Sequence, residues 1–237
     1  MANIVEIKGN IFNSQCQTIV NTVNCVGIMG KGIALEFKYR FPVMHKNYQT
    51  ICRKNLLKPG LLLLHTKSTP WVLNFPTKNH WQNSSKIEYI EMGLIKFSNT
   101  YKSKNIVSIA FPELGTNLGK LDWKKQVKPL MYRILKPLNN LEIEIYHFDA
   151  SAQDQLFQVL LRKLQFFSKE EIANLVGLRI DAATLLFNAI HRYSANSMFD
   201  IRQLAGLGDV SIQKLYDYLG NERTFSAKEN MQINIPF

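Results

Sequence analysis

The stretch Asn21-Thr-Val-Asn24-Cys-Val-Gly27-Ile-Met29-Gly30-Lys31-Gly32-Ile33-Ala34 decides the fold. It closes a β-rich run over residues 17–24, in which Thr18, Ile19, Val20, Thr22 and Val23 favour a strand. Glycines at 27, 30 and 32 then interrupt the strand, and a helical pattern runs from Ile33 to Arg40, before Phe41-Pro42. A strand that enters a helix through a glycine-rich loop offers backbone N–H groups and a helix N-terminus to an anion. No Gly-Lys-Ser/Thr closes the loop, so it is not a Walker loop, and its spacing differs from the dinucleotide fingerprint. Glycines that only permit a tight turn, with no ligand, would give the same pattern.

Outward from this stretch, strands and helices alternate. Residues 3–8 read as a strand ending at Gly9-Asn10, and Pro42 is placed to open a helix running to about residue 54. Residues 60–66 and 71–74 read as strands around a Ser-Thr-Pro turn. Residues 86–101 carry Ile87, Ile90, Leu94 and Phe97 on one helical stripe; 105–111 is a buried strand, 122–138 a helix and 141–148 a last strand. This order predicts an α/β domain, with a largely parallel sheet covered by helices on both faces. Ligands of such sheets bind beyond the carboxyl ends of the strands. After Asp149 the pattern becomes helical, over residues 153–167, 169–176, 181–193 and 200–219, with Ser168 as an N-cap before Glu170 and Glu171. Two domains are expected, 1–149 and a small all-α domain 150–237, with a polar, loose tail from 221 to 237.

The charge divides at the same place. Residues 1–149 hold 20 Lys/Arg against 9 Asp/Glu, whereas residues 150–237 hold 9 of each, so the whole excess of +11 lies on the first part. Such a domain attracts polyanions such as nucleic acid, although Lys-rich surfaces also serve solubility. No apolar run reaches the ~18 residues that a membrane span needs, and the N-terminus lacks the pattern of a signal peptide. Cys16, Cys25 and Cys52 stand in no metal-binding spacing and read as reduced thiols of a cytoplasmic protein.

Two further segments stand at strand ends. Asn74-Phe-Pro-Thr77-Lys78-Asn-His80-Trp81 sets a lysine beside a histidine and a tryptophan, as a positioned nucleophile, a phosphate contact or simply a solvated side chain. Phe111-Pro-Glu-Leu-Gly115-Thr116-Asn117-Leu118-Gly119-Lys120-Leu121-Asp-Trp123 again takes a buried strand through a glycine-containing loop into a helix. In the second domain, residues 199–215 contain Gly206-Leu-Gly208 between two helical runs and resemble a helix-hairpin-helix, a motif whose turn holds a DNA phosphate. A purely structural helical hairpin reads the same way.

Taken in order, these segments resemble a macrodomain of the DarG type, over about residues 1–148. That family comprises DNA ADP-ribosyl glycohydrolase antitoxins, which reverse a DNA-modifying ADP-ribosyltransferase toxin. The resemblance implies a three-layer α/β/α mixed sheet, no cofactor and no metal. It implies removal of ADP-ribose from a nucleobase, thymidine by analogy, in single-stranded DNA, with a cognate toxin as a further partner and no membrane. Lys78 matches the lysine regarded as catalytic. Asn24, Gly27, Met29, Gly30, Lys31, Gly32, Ile33 and Ala34 match the loop around the distal ribose and diphosphate, with Asn21 and Asn24 at the ribose rim. Gly115, Thr116, Asn117, Leu118, Gly119, Lys120 and Leu121 match the second phosphate loop. Asn10, followed by Ile11, falls where many macrodomains read adenine with an aspartate, and Thr77 and His80 flank the lysine at the ligand. Gly206 and Gly208 are the candidates for DNA contact. The second loop departs from the Gly-x-Gly-Asn-Gly-Gly-Leu of this type at Asn117 and Lys120, which implies a narrower cradle or altered base selectivity. Terminal ADP-ribose glycohydrolases, which act on protein, carry an aspartate where this chain has Gly119. An ADP-ribose reader without activity, a hydrolase of ADP-ribosylated protein, and a toxin-binding role for residues 150–237 stand as alternatives.

Overall fold

In a computed structural model the described residues are 1–192, 195–220 and 236–237. The elements of the first part are β1 (Asn3–Gly9), β2 (Thr18–Val23), α1 (Gly32–Arg40), α2 (Pro42–Arg53), β3 (Leu63–His65), β4 (Trp71–Pro76), α3 (Ile87–Thr100), β5 (Ser108–Pro112), α4 (Lys128–Leu135) and β6 (Glu142–Phe148). They form one six-stranded sheet in the order β1-β6-β5-β2-β4-β3. The pairs β1–β6, β6–β5, β5–β2 and β2–β4 are parallel, and only the edge strand β3 runs antiparallel. The sheet is therefore mixed and lies between helices, as the resemblance implies.

Side-chain alternation along the strands feeds two cores. Val20, Leu73, Phe75, Ile109, Phe111, Ile143 and Ile145 face α3 and α4. Ile19, Val23, Val72, Ala110 and Tyr146 face α1 and α2, with Phe37, Met44, Tyr48 and Ile51 packed on them. On α3, Gly93 lies so close to the sheet that a Cβ there would stand 2.2 Å from Cζ of Phe75.

Two elements depart from their sequence patterns. The run 60–66 supplies only the three-residue β3, because Leu61 and Leu62 belong to the approach to the strand. The helix expected over 122–138 starts as a wide π-type turn, Trp123–Val127, capped by Asp122, and becomes α-helical at Lys128, where Pro129 fits the first turn. The tail from 221 to 235 and the end of the 181–193 run at Tyr193 lie outside the described residues. The last residue is not loose: Phe237 N–H donates to Leu62 C=O at 2.9 Å, and Leu62 N–H donates to Phe237 C=O at 2.7 Å.

By compactness the chain divides after Phe148. The second unit begins at Asp149 and contains α5 (Gln155–Leu164), α6 (Lys169–Val176), α7 (Ile180–His191), α8 (Met198–Gln203) and α9 (Asp209–Leu219). The 200–219 run is thus two helices rather than one, broken at a turn where Gly206 takes φ +97°. The two helical hairpins repeat at an offset of 29 residues. Ser168 and Ser197 both cap a helix through their side chains, onto Glu171 N–H and Asp200 N–H. Ile172 and Ile201 are both fully buried, as are Leu186 and Leu215. Gly177 and Gly206 both turn with positive φ, and each is followed by a leucine, Leu178 or Leu207. Buried Asp154 caps α5 and also accepts from Met198 N–H at 3.0 Å, joining α5 to the second hairpin.

Gly93→Ala tests how tightly α3 sits. In a free helix the change would stabilise by about 0.5–1 kcal/mol, but here the methyl group meets the Phe75 ring. A net loss of about 1–3 kcal/mol is expected from the overpacking, measured as a lower midpoint in denaturant unfolding.

Candidate functional site

The parallel strands end along one rim, at Gly9, Phe148, Pro112, Val23 and Pro76 in β1, β6, β5, β2 and β4. Each is followed by a loop that sequence reasoning singled out, apart from the one after Phe148.

The first loop continues β2. Asn24 Oδ1 accepts from Val26 N–H at 3.0 Å and Ile28 N–H at 3.4 Å, and its Nδ2 donates to Ile28 C=O at 2.6 Å. The Tyr48 hydroxyl, fully buried on α2, donates to Asn24 C=O at 2.8 Å. Asn24 is therefore the internal brace of the loop and is itself buried, not a rim amide turned to a ribose. Asn21 departs from expectation in the same way. It is fully buried, its Nδ2 donates to Asn74 Oδ1 at 2.9 Å, and Asn74 Nδ2 donates to Leu63 C=O at 3.3 Å, an amide ladder across β2, β4 and β3. Cys25, Gly27 and Met29 point inward while Val26, Ile28 and Gly30 point out, so the loop shows its backbone and two apolar side chains. Gly27 turns with φ +84° against α2, where a Cβ would lie 3.4 Å from Cβ of Cys52. Exposed Lys31 and Gly32 then open α1, together with the partly buried Ile33 and Ala34, and no side chain caps its N-terminus. Uncapped N–H groups and the helix dipole favour an anion here.

The second loop follows β5. Gly115 and Gly119 are buried, and the turn is closed by Gly119 N–H to Thr116 C=O at 2.6 Å and Lys120 N–H to Asn117 C=O at 3.0 Å. Asn117 and Lys120, the two residues that depart from the glycine-rich pattern, both adopt positive φ, +43° and +67°. The loop keeps the backbone a glycine would favour, at a cost of about 1 kcal/mol for the lysine. A Cβ on Gly119 would stand 2.4 Å from Oγ and 3.0 Å from Cβ of Ser85, so a side chain at that position requires Ser85 to shift. Leu118, exposed at the tip, reaches the first loop: a Cβ on Gly32 would meet its Cδ1 at 3.3 Å.

Lys78 stands between the two loops. Thr77 N–H donates to Val23 C=O at 2.9 Å and Cys25 N–H to Asn79 C=O at 3.1 Å, so β2 and β4 stay paired past their ends. The Lys78 Nζ donates to Leu118 C=O at 2.8 Å. Partial burial, and then the positive charge of Lys120, lower its proton affinity below that of an ordinary lysine. His80 accepts from Gln82 N–H through Nδ1 at 3.4 Å, and its ring lies against Trp81. Thr77 and Ile11 are buried, so either would meet a ligand through its backbone. Asn10 caps the short turn Ile11–Asn13, its Oδ1 accepting from Phe12 N–H at 3.0 Å.

Three features were not anticipated. Phe148, paired in register with Gly9, is 64% exposed beside Asn10, an aromatic face where an alternating strand leads into its loop. Tyr48, named above, braces the first loop from a helix more than twenty residues away. Behind the second loop, His147 lies between two carboxylates, Nδ1 on Glu113 Oε1 at 2.5 Å and Nε2 on Glu6 Oε2 at 2.9 Å. Glu113 also accepts from the Thr116 hydroxyl at 3.2 Å, and Glu6 accepts from the Tyr132 hydroxyl and pairs with Lys128, each at 2.6 Å. Burial opposes charge on His147, but the hydrogen bonds to Glu113 and Glu6 outweigh it and raise its proton affinity. Hydrogen bonds from Lys128 and Tyr132 hold the Glu6 carboxyl down to about 2.

Of the two glycines considered for DNA in the second unit, Gly206 is close-packed, since a Cβ there would lie 2.8 Å from Leu185 Cδ1. Gly208 faces open space at the N-cap of α9, with the acidic Asp209 in the first turn.

Two glycine-containing loops on either side of a lysine, at the carboxyl rim of a mixed six-stranded sheet between helices, define a macrodomain. The macro domain family matches residues 20–130. The chain is 33% identical to the macrodomain of Thermus aquaticus DarG, with 62% of this chain and 99% of that structure covered and a TM-score of 0.59. It is 32% identical to a DNA ADP-ribosyl glycohydrolase of Mycobacterium tuberculosis over 222 residues, 91% of this chain and 58% of the relative. It is 37% identical to a DNA ADP-ribosyl transferase–DNA ADP-ribosyl glycohydrolase fusion protein of Thermosipho africanus, over 61% of this chain and 42% of that protein. The chain belongs to the macrodomains of the DarG type, and it spans about half the length of these curated relatives.

Two outcomes follow from this geometry. Tyr48→Phe removes the hydroxyl that holds Asn24 and is expected to destabilise the protein by about 1 kcal/mol, and to weaken ADP-ribose binding by calorimetry. Because the folded His147 binds its proton more tightly than a free histidine, its contribution is complete below about pH 6.5 and fades as pH rises through the folded value. Thermal midpoints compared at about pH 6 and pH 9 should therefore fall more in the wild type than in His147→Gln.

Proposed function

We propose that this chain is a DNA ADP-ribosyl glycohydrolase in which Lys78 attacks the sugar. The observation that carries this reading is the Lys78 amine itself, held between two phosphate-type loops with its proton affinity lowered by burial and Lys120. A neutral amine is nucleophilic, and a lysine reaches that state near neutral pH only when its charged form is disfavoured. The diphosphate lies on the N–H groups from Gly30 to Ala34 and on the turn from Gly115 to Leu121. Adenine lies by Asn10 and Ile11, with Phe148 as its stacking face. In this arrangement the distal ribose comes to Lys78, with Thr77 and His80 beside it.

The Lys78 nitrogen bonds to the anomeric carbon of the distal ribose as the bond from that carbon to the base nitrogen breaks, and the base leaves with a proton. Water then replaces the lysine at that carbon, so one water is consumed for each ADP-ribose released and each unmodified base restored in the DNA strand. The names of the Mycobacterium and Thermosipho relatives support DNA as the substrate and an ADP-ribosyltransferase toxin as the partner. Gly119, where the protein-directed variant carries an aspartate, supplies no carboxylate beside Lys78, which speaks against that variant. Among the described residues no single helix is long and apolar enough to cross a membrane. Three buried free thiols fit a reducing cytoplasm, where we place the protein. The domain from residue 150 is read as a separate helical module, with Gly208 a better candidate for DNA contact than Gly206.

The test is release of ADP-ribose from a single-stranded oligonucleotide carrying an ADP-ribosylated thymidine. The wild type is expected to release it, and Lys78→Ala to do so slower by on the order of 100-fold or more while still binding ADP-ribose. Binding without release by the wild type would make the chain a reader instead.

A further inference from the structure

The loop from Lys78 to Ser85 is anchored at both ends. Asn79 C=O accepts from Cys25 N–H of the first loop at 3.1 Å, and Ser85 N–H donates to Gly119 C=O of the second at 3.0 Å. Within it, Asn83 N–H closes a turn onto His80 C=O at 3.1 Å. At the tip of this fixed loop Trp81 is 47% exposed. The other two tryptophans, Trp71 and Trp123, pack against the core. An indole left open to water on an anchored loop is unusual, because this side chain gains most from cover. One edge of its surroundings is already furnished: the His80 ring lies 5.7 Å from the Trp81 ring, tilted by 31°.

Three features identify what fits there. Trp81 is three residues from Lys78 on the same anchored loop. Exposed Val26, Ile28 and Leu118 on the two flanking loops make the surroundings apolar at the reacting end. Between Glu36 and Glu88 the sequence has nine Lys/Arg and no acidic residue, so the stretch that carries Trp81 is basic and favours an anionic chain. A flat, apolar-faced group on an anionic chain satisfies all three. Every nucleobase offers such a face, but only where it is not enclosed in a duplex.

We propose that Trp81, backed by His80, is the stacking platform for an unpaired base adjoining the modified nucleotide. The inference rests on the reading of the chain as acting on DNA. Trp81 takes no part in bond breaking; it fixes the strand so that the modified base, joined through its ribose to ADP-ribose in the cradle, presents its glycosidic bond to Lys78.

Fluorescence anisotropy of an unmodified thymidine-rich oligonucleotide tests this on the wild type, Trp81→Ala and Trp81→Phe. Trp81→Ala is expected to bind the single strand about tenfold more weakly, Trp81→Phe to retain most of the affinity, and all three to bind the matching duplex equally. Unchanged single-strand binding in Trp81→Ala overturns the platform, and so does an equal loss on duplex, which would make the effect one of charge or fold. ADP-ribose titration of the same three proteins keeps the two readings apart. Failure of the wild type to bind ADP-ribose sinks the proposed function, whereas the platform stands or falls on the oligonucleotides alone.

Discussion

The arrangement depends on the pairing of β2 with β4 continuing beyond the sheet. Two backbone hydrogen bonds, from Thr77 N–H to Val23 and from Cys25 N–H to Asn79, carry the parallel ladder into what would otherwise be two independent loops. Parallel neighbours lie about 4.8 Å apart, so this extension fixes how far Lys78 can stand from the glycine-rich loop. The fully buried Asn21–Asn74 pair lies directly beneath it in the same register. An amide pair enclosed there is costly unless both strands keep that register. The polar ladder therefore specifies the alignment on which the lysine's position rests.

Much of this was legible in the sequence, for a physical reason. A strand that ends in glycines before a helix has few ways to continue, so residues 21–34 and 111–123 revealed both cradles and the rim where they meet. The alternation of apolar residues in 141–148 and the stripe in 86–101 revealed a strand and the helix that covers the sheet. What stayed hidden depends on direction and distance. Asn24 has the residue type of a ligand contact, but its amide is engaged by its own loop and by Tyr48. The Glu6–His147–Glu113 bridge joins residues more than a hundred positions apart. The 29-residue repeat is carried by a cap, a turn and a few buried positions, while its exposed residues differ. At Phe237 a polar tail ends in an aromatic residue that finds the core.

The second loop shows that a glycine pattern and a glycine backbone are separable. Asn117 and Lys120 hold left-handed conformations because the hydrogen bonds around Gly115 and Gly119, together with the contact to Ser85, over-determine the turn. The lysine that results adds positive charge next to Lys78, which a glycine would not. The substitutions therefore change the electrostatics of the cradle and leave its shape in place.

The fit of Ser85 against Gly119 also bears on how such a site can diversify. A side chain at position 119 would press on Ser85, its Cβ lying 2.4 Å from the hydroxyl and 3.0 Å from Cβ of that serine. Placing an aspartate at this position therefore requires an adjustment of Ser85 as well as the carboxylate itself. One serine side chain, outside either loop, thus bears on which chemical groups the second loop can carry.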